Sequence, residues 1–305
     1  MADSRCFIQF PHPGGEYRPG PDDGGEWNAL CCDHARKFMQ LDGQWIDDAG
    51  TKHCGELWAW GEWEAPSELL RKLDQLDSDE YPKYLWSPYF IELHGGYEDL
   101  HNTDPFIFGE RMLYTNCKQS SFPVLRHLDS GSVIAFGSKK NHRWILDTVF
   151  VVAGSVDYTA PEARIALADH ASDAFLAVTA GPLADNEETG SFRFYWGATP
   201  EDPVNGMYSF FPATIAGGSV GFERPDIELP KFCFTETLRR GIKTTCGLAP
   251  TALTGLWQSL VEQVRNADLV LGTHATLPER RIPPREGPLR NQYSSGPSRS
   301  KRGRC

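Results

Sequence analysis

Two short segments restrict this chain more than anything else in it. Glu56-Leu57-Trp58-Ala59-Trp60-Gly61-Glu62-Trp63-Glu64 and Phe192-Arg193-Phe194-Tyr195-Trp196-Gly197 sort their side chains at a period of two. An extended strand sends successive side chains to opposite faces. The first segment then shows Glu56, Trp58, Trp60, Glu62 and Glu64 on one face, and Leu57, Ala59 and Trp63 on the other. The second sets Phe192, Phe194 and Trp196 opposite Arg193 and Tyr195. Nine Trp, ten Tyr and seventeen Phe extend the same preference, because aromatic residues favour strands and bury large areas. With 29 Gly and 22 Pro, the chain has many turns and few long helices. The expectation is a strand-rich α+β protein.

Strands are expected at Cys6–Phe10, Glu56–Glu64, Phe106–Thr115, Ser132–Gly137, Trp144–Ala153, Phe175–Thr179, Ser191–Thr199 and Met207–Pro212. Ser132–Gly137 and Trp144–Ala153 read as a hairpin. One helix is expected over Asp33–Leu41 with Phe38 and Leu41 inward. Another opens at Pro66-Ser67, with Leu69, Leu70, Leu73 and Leu76 at helical spacing. The strongest helix is Thr251–Asn266, where Leu253, Leu256, Trp257, Leu260, Val261 and Val264 share a face. Residues 77–105 read as irregular.

The net charge of −11 is unevenly spread. Residues 279–305 carry eight Arg or Lys and two Glu, or +6, which leaves −17 on residues 1–278. This predicts one folded body, 1–278, followed by a disordered basic tail, 279–305. The tail either clamps a phosphate backbone or is a solvated extension. The acidic body disfavours a broad nucleic-acid groove but leaves room for a local pocket, and it offers an acidic face to a protein partner. Eight scattered Cys without a C-x-x-C pair suit reduced thiols, hence a cytoplasmic setting. No membrane span and no signal peptide are expected. Cys31, Cys32, His34, His53 and Cys54 lack zinc spacing, and His12, His94 and His101 with Asp99 and Asp104 match no hydrolytic metal motif. No metal is expected. No P-loop or G-x-G-x-x-G is present, and no cofactor is implied.

Within Leu128–Val152, LDSGSVIAFGSKKNHRWILDTVFVV, a turn at Gly131 leads into an apolar strand that exits at Gly137-Ser138. The next strand is apolar with one Asp. This resembles the paired barrel strands of PUA-like domains, the superfamily of the ASCH, EVE and YTH modules. The segment HNTDPFIFGERMLYTNCKQ, His101–Gln119, resembles uncharacterised bacterial proteins of the nucleotide-modification-associated kind. The resemblance implies a PUA-like β-barrel core over about residues 55–152, with appended helices and extra strands. It also implies recognition of RNA, DNA or modified bases.

Candidate ligand-binding residues are Trp58, Trp60, Glu62, Arg111, Asn116, Lys118 and Asp147. A Trp can stack on any base, and a carboxylate can accept from exocyclic amines. Asn116, with Gln119, can read a base edge. Lys118 and Arg111 can meet phosphate, or Arg111 can hold Glu62. Asp147 shares a strand face with Ile145, Val149 and Val151, so it needs a cation, Lys118 or Arg111, or lines a pocket. The plain alternative for each is packing or turn chemistry. Cys117 is a nucleophile only if a base reaches it, with His101 and His127 as candidates; otherwise it is an inert buried thiol. The leading function is a module binding a nucleotide or modified base. The rivals are a hydrolase or transferase using Glu62, Glu64 and Asp147 in the same pocket, and a protein-interaction component of a defence or modification system.

Overall fold

The computed structural model describes residues 5–12, 14–18, 36–65, 67–74, 81–91, 103–140, 143–181, 190–230 and 241–282. The fold is mixed α+β and strand-rich, with few helices. In chain order the strands are β1 Cys6–Pro11, β2 Arg36–Ile46, β3 Lys52–Glu62, β4 Ser67–Lys72, β5 Tyr84–Ile91, β6 Leu113–Tyr114 and β7 Val133–Lys140. They continue as β8 Arg143–Thr159, β9 Ser191–Gly197, β10 Phe211–Ile215, β11 Asp226–Ile227, β12 Lys243–Cys246, β13 Val270–Ala275 and β14 Glu279–Arg281.

Two sheets form. One runs β12-β1-β7-β8-β9-β6, with β11 added on β8. The other runs β13-β10-β3-β2-β5-β14, with β4 on β5, and β13 also pairs with β2. Strands β2, β3, β10 and β13 therefore hydrogen-bond round into a ring. The strands of residues 55–152 are shared between the two sheets, with β3 in one and the β7–β8 hairpin in the other. The largest core cluster lies between them: Phe10, Phe136 and Phe150 meet Leu57, Ala59, Trp63 and Trp86. The long helix Pro250–Asn266 buries Leu253, Trp257, Leu260, Val261 and Val264. These join a second cluster with Phe7, Val133, Val149 and Val151.

Several expectations are corrected. Asp33–Leu41 is not a helix: from Arg36 the chain is β2, aligned antiparallel with β3 from Arg36 opposite Glu62 to Ile46 opposite Lys52. Residues 33–35 lie outside the described residues. Phe38 packs on one face of the strand and Met39 and Leu41 on the other. A strand covered on both faces loses its alternation, and its apolar spacing then mimics a helix. The helix expected from Ser67 is strand β4, paired with β5 and with an irregular register between Leu69 and Arg71. Its backbone partner β5 lies within residues 77–105, which carried no clear pattern. Leu73 is buried but Leu70 is exposed, so the helical face never forms; Leu76 lies outside the described residues.

Phe106–Thr115 is not one strand. Gly109 takes a left-handed conformation (φ 90°), and Phe106 bridges back to Leu113. Phe175–Thr179 is helical, with Ser172 Oγ accepting from the Phe175 N–H ahead of Leu176–Ala180. The strand expected at Met207–Pro212 sits later, at β10. Cys6 and Cys246 are disulfide-bonded across β1 and β12, so not every cysteine is a free thiol. The basic tail does not start at Glu279: β14 pairs parallel with β5, and Arg281 lies over the Tyr89 ring. Residues 283–305 lie outside the described residues. Among the described residues no helix is long and apolar enough to cross a membrane.

Candidate functional site

Three strand ends and one bulge converge on a buried polar centre. His12 follows β1, Arg36 opens β2, Glu62 closes β3, and Asp147 sits in β8. All four residues are buried. The bulge decides Asp147. Phe136 pairs with Thr148 while its neighbour Gly137 pairs with Leu146, so Asp147 is the extra residue on β8. A bulge re-aims the side chain it carries. Leu146, Val149 and Val151 all pack in the cluster beneath the long helix, so Asp147 does not share the face of Val149 and Val151 as alternation predicts. It turns instead toward Arg36.

The Arg36 guanidinium joins the strands. Its Nε donates to Asp147 Oδ2 at 3.1 Å, one terminal nitrogen to Glu62 Oε2 at 3.3 Å, and the other to the His12 carbonyl at 2.5 Å. Arg224 completes the pair from outside, donating to Asp147 Oδ1 at 3.1 Å and to the Gly14 carbonyl at 3.3 Å. Buried charges persist only when paired and hydrogen-bonded. Burial alone pulls the Arg36 pKa down, but the Glu62 and Asp147 carboxylates more than offset it and hold it above the ordinary arginine value.

His12 extends the centre to a thiol. Its Nδ1 lies 2.6 Å from Glu62 Oε2, and its Nε2 lies 3.7 Å from Cys117 Sγ. In the neutral ring, with Nδ1 donating to the carboxylate, Nε2 is an acceptor facing the sulfur. Cys117 itself is firmly placed. Its N–H donates to Asp104 Oδ2 at 2.9 Å, the Thr115 N–H donates to Asp104 Oδ1 at 3.0 Å, and the Tyr114 hydroxyl donates to the Cys117 carbonyl at 2.8 Å. Lys118 follows with a left-handed backbone, φ 62°. Burial drives the Asp104 carboxyl well above its ordinary value, outweighing the two N–H donors, and Glu62 pushes it the same way. Burial likewise raises Tyr114, with Asp104 and Cys117 adding to it.

A hollow of about 10 Å³ opens among His12, Arg36, Glu62, Pro105, Phe136 and Asp147. That is room for about one water, so a larger group enters only if the walls move. A wider open groove of about 750 Å³ lies between β11 and the long helix. It holds none of these residues, and its Asp226 is already tied to Arg143. The smaller hollow is the one lined by the buried ionisable groups.

Of the residues singled out from sequence, Glu62 and Asp147 meet at Arg36. Trp60 lies beside them, with Arg224 over its ring at 5.6 Å. Trp58 and Trp60 are 2% and 4% exposed, so neither is an open stacking wall. Both pack on Phe38, and Arg71 covers Trp58. Asn116 is buried and its amide donates to the Thr179 carbonyl at 3.4 Å. Gln119 both donates to and accepts from the Arg193 backbone, which commits it to β9. Arg111 and Lys118 are half-buried and are partners of neither Asp147 nor Glu62. Glu64 is buried at the end of β3, its N–H donating to Thr103 Oγ1. His101 lies outside the described residues, and the base beside Cys117 is His12 rather than His127.

In the sequence His12 stood out only as a rejected metal ligand, and Arg36 and Arg224 did not stand out at all. His12 sits in a Pro-Gly stretch that reads as a turn, and Arg36 in a stretch that reads as a helix. Among the described residues no group of three or more His, Cys, Asp and Glu is arranged to hold a metal ion. Comparison with protein-family models, with curated proteins and with solved structures found no significant match to this chain.

Proposed function

We propose that this chain binds a nucleotide, or a modified base in nucleic acid, at the polar centre beside Arg36. The carrying observation is the pairing of one buried guanidinium with two carboxylates from separate strands, Glu62 and Asp147, at the wall of a hollow. A base edge presents N–H donors and ring acceptors, and carboxylates with a guanidinium are the groups that read such an edge. The centre is balanced in charge, two arginines against two carboxylates. It therefore suits the neutral base better than its phosphate. The aromatic residues serve as the support of β2 and β3, not as the stacking surface.

A PUA-like barrel is part of the same proposal. It is supported by the β7–β8 hairpin over Leu128–Val152 and by the apolar stretch Trp144–Val152 of β8, whose single Asp is Asp147. The test is a panel of nucleosides, nucleotides and short oligonucleotides scored by thermal shift and calorimetry. At least one base should raise the melting temperature, and Glu62→Gln and Asp147→Asn should abolish that rise. A panel without any shift would sink the proposal.

A further inference from the structure

We infer that Cys117, His12 and Glu62 form a nucleophilic triad, giving this centre a hydrolytic activity on an sp² carbon that bears a nitrogen leaving group. The inference deepens the proposed function and rests on it only for the substrate class. The geometry stands by itself. Glu62 Oε2 orients the His12 ring through Nδ1 at 2.6 Å, and Nε2 faces Sγ at 3.7 Å. A nucleophile, its base and the group that orients the base, in that order, are what activate a weak nucleophile. Three separate chain segments supply them: the end of β1, the end of β3, and the turn after β6.

A buried cysteine with no task needs no such company. Here Asp104 grips its N–H and Tyr114 its carbonyl, so the backbone that carries the sulfur is fixed beside the imidazole. Among the described residues, charged and titratable groups around the thiol include His12 just after β1, Arg36 from β2, Glu62 from β3, Asp104 from the loop before β6, and Tyr114 from β6. Arg36 acts on Cys117 electrostatically and lines the hollow beside His12, so a cation paired with Glu62 and Asp147 borders the place where negative charge grows. Burial keeps the Asp104 carboxyl toward its neutral form, so it opposes a thiolate less than an ionised carboxylate would.

The reaction balances with water as the only co-reactant. Nε2 takes the thiol proton as Sγ forms a C–S bond to an amide or amidine carbon. The C–N bond breaks, and the leaving nitrogen takes the proton from Nε2. Water then attacks the same carbon and gives one proton to Nε2. The C–S bond breaks and the sulfur recovers that proton. The products are the hydrolysed carbonyl compound and the free amine or ammonia. An exocyclic amino group on a base is an amidine nitrogen of this kind, which joins the triad to the pocket.

The test uses the full chain and the small electrophile iodoacetamide, with peptide mapping by mass spectrometry. Cys54 is exposed and serves as the internal standard. Cys117 should be alkylated faster than Cys54 although it is buried, and Cys117→Ser should lose only that adduct. His12→Asn should slow Cys117 relative to Cys54 by at least about tenfold, and Glu62→Gln by less. Labelling of Cys54 without Cys117 in the unmodified protein would overturn the triad, and so would an unchanged ratio in a folded His12→Asn or Glu62→Gln protein. The two claims fail separately. A nucleoside shift with unreactive Cys117 keeps the pocket and removes the chemistry; reactive Cys117 with no nucleoside shift does the reverse.

Discussion

Arg36 joins two buried carboxylates that are also held elsewhere, Asp147 by Arg224 and Glu62 by His12. It is 1% exposed, and Glu62 and Asp147 are nearly as deep. Arg36→Met keeps much of the volume but removes the cation, leaving buried negative charge without its main partner. The expected cost is about 3–5 kcal/mol, read by urea denaturation, because breaking a buried pair from one side exposes the full desolvation penalty. A loss under about 1 kcal/mol would mean that Arg224 alone suffices. Asp104 gives the opposite lesson. Its folded-state pKa lies above the ordinary 3.8. The folded protein therefore holds a proton that the unfolded chain releases, and stability falls as pH rises from near 3.8 through the folded-state value. Asp104→Asn removes that slope. Measured at pH 4 and pH 7, the native protein should lose stability relative to the Asn variant on going to pH 7. Asp147 stood out as a single carboxylate in an apolar strand, and Glu62 as one of three on the Trp-bearing face of its segment. Their cation did not, because no local pattern marks an arginine as buried.

At the scale of elements, the bulge in β8 matters most. A Cβ added at Gly137 would lie 2.2 Å from the Ile145 carbonyl oxygen, a backbone atom that cannot move without moving the strand. Gly137→Ala should therefore destabilise the protein by about 1–3 kcal/mol and displace Asp147 from Arg36. Denaturation reads the first effect and loss of any nucleoside shift the second. An alanine protein as stable as the parent would show that the hairpin absorbs the methyl group. The other telling element is β14. Deleting residues 283–305 leaves it in place, whereas deleting 279–305 removes its pairing with β5 and the Arg281 contacts to Tyr89 and Glu68. The longer deletion should melt lower than the shorter one; equal melting temperatures would show that β14 adds no stability. The long helix was legible because its covered face keeps the helical period, and β3 because its Trp and Glu residues alternate with Leu57 and Ala59 although both faces are covered. Strands β2 and β5 were not, since burial on both faces or an internal Pro removes that signal.

At the scale of the molecule, the main core is shared by both sheets. Phe10, Phe136 and Phe150 from one pack with Leu57, Ala59 and Trp63 from the other. Each sheet exposes its share of this core without its partner, so the described body should unfold as one unit. Near-ultraviolet circular dichroism, reporting the Trp environments, and far-ultraviolet circular dichroism, reporting strands, should give coincident urea transitions. Separate midpoints would show that one sheet persists alone. The net charge of −17 over residues 1–278 belongs to this scale as well. It sets a long-range repulsion toward polyanions that a pocket of balanced charge must overcome locally.

Local chemistry in the amino-acid order was enough to determine a strand-rich α+β chain, the β3 face that carries Trp58, Trp60 and Glu62, the β7–β8 hairpin and the long helix. Each is written in contacts between near neighbours, at a period of two or of 3.6. The centre itself was settled only by tertiary structure. His12, Arg36, Glu62, Cys117 and Asp147 lie up to 135 positions apart, and they meet because β1 pairs with β7, β2 with β3, and one extra residue turns Asp147 around. Long-range pairing and a bulge leave no periodic trace in the residues they bring together.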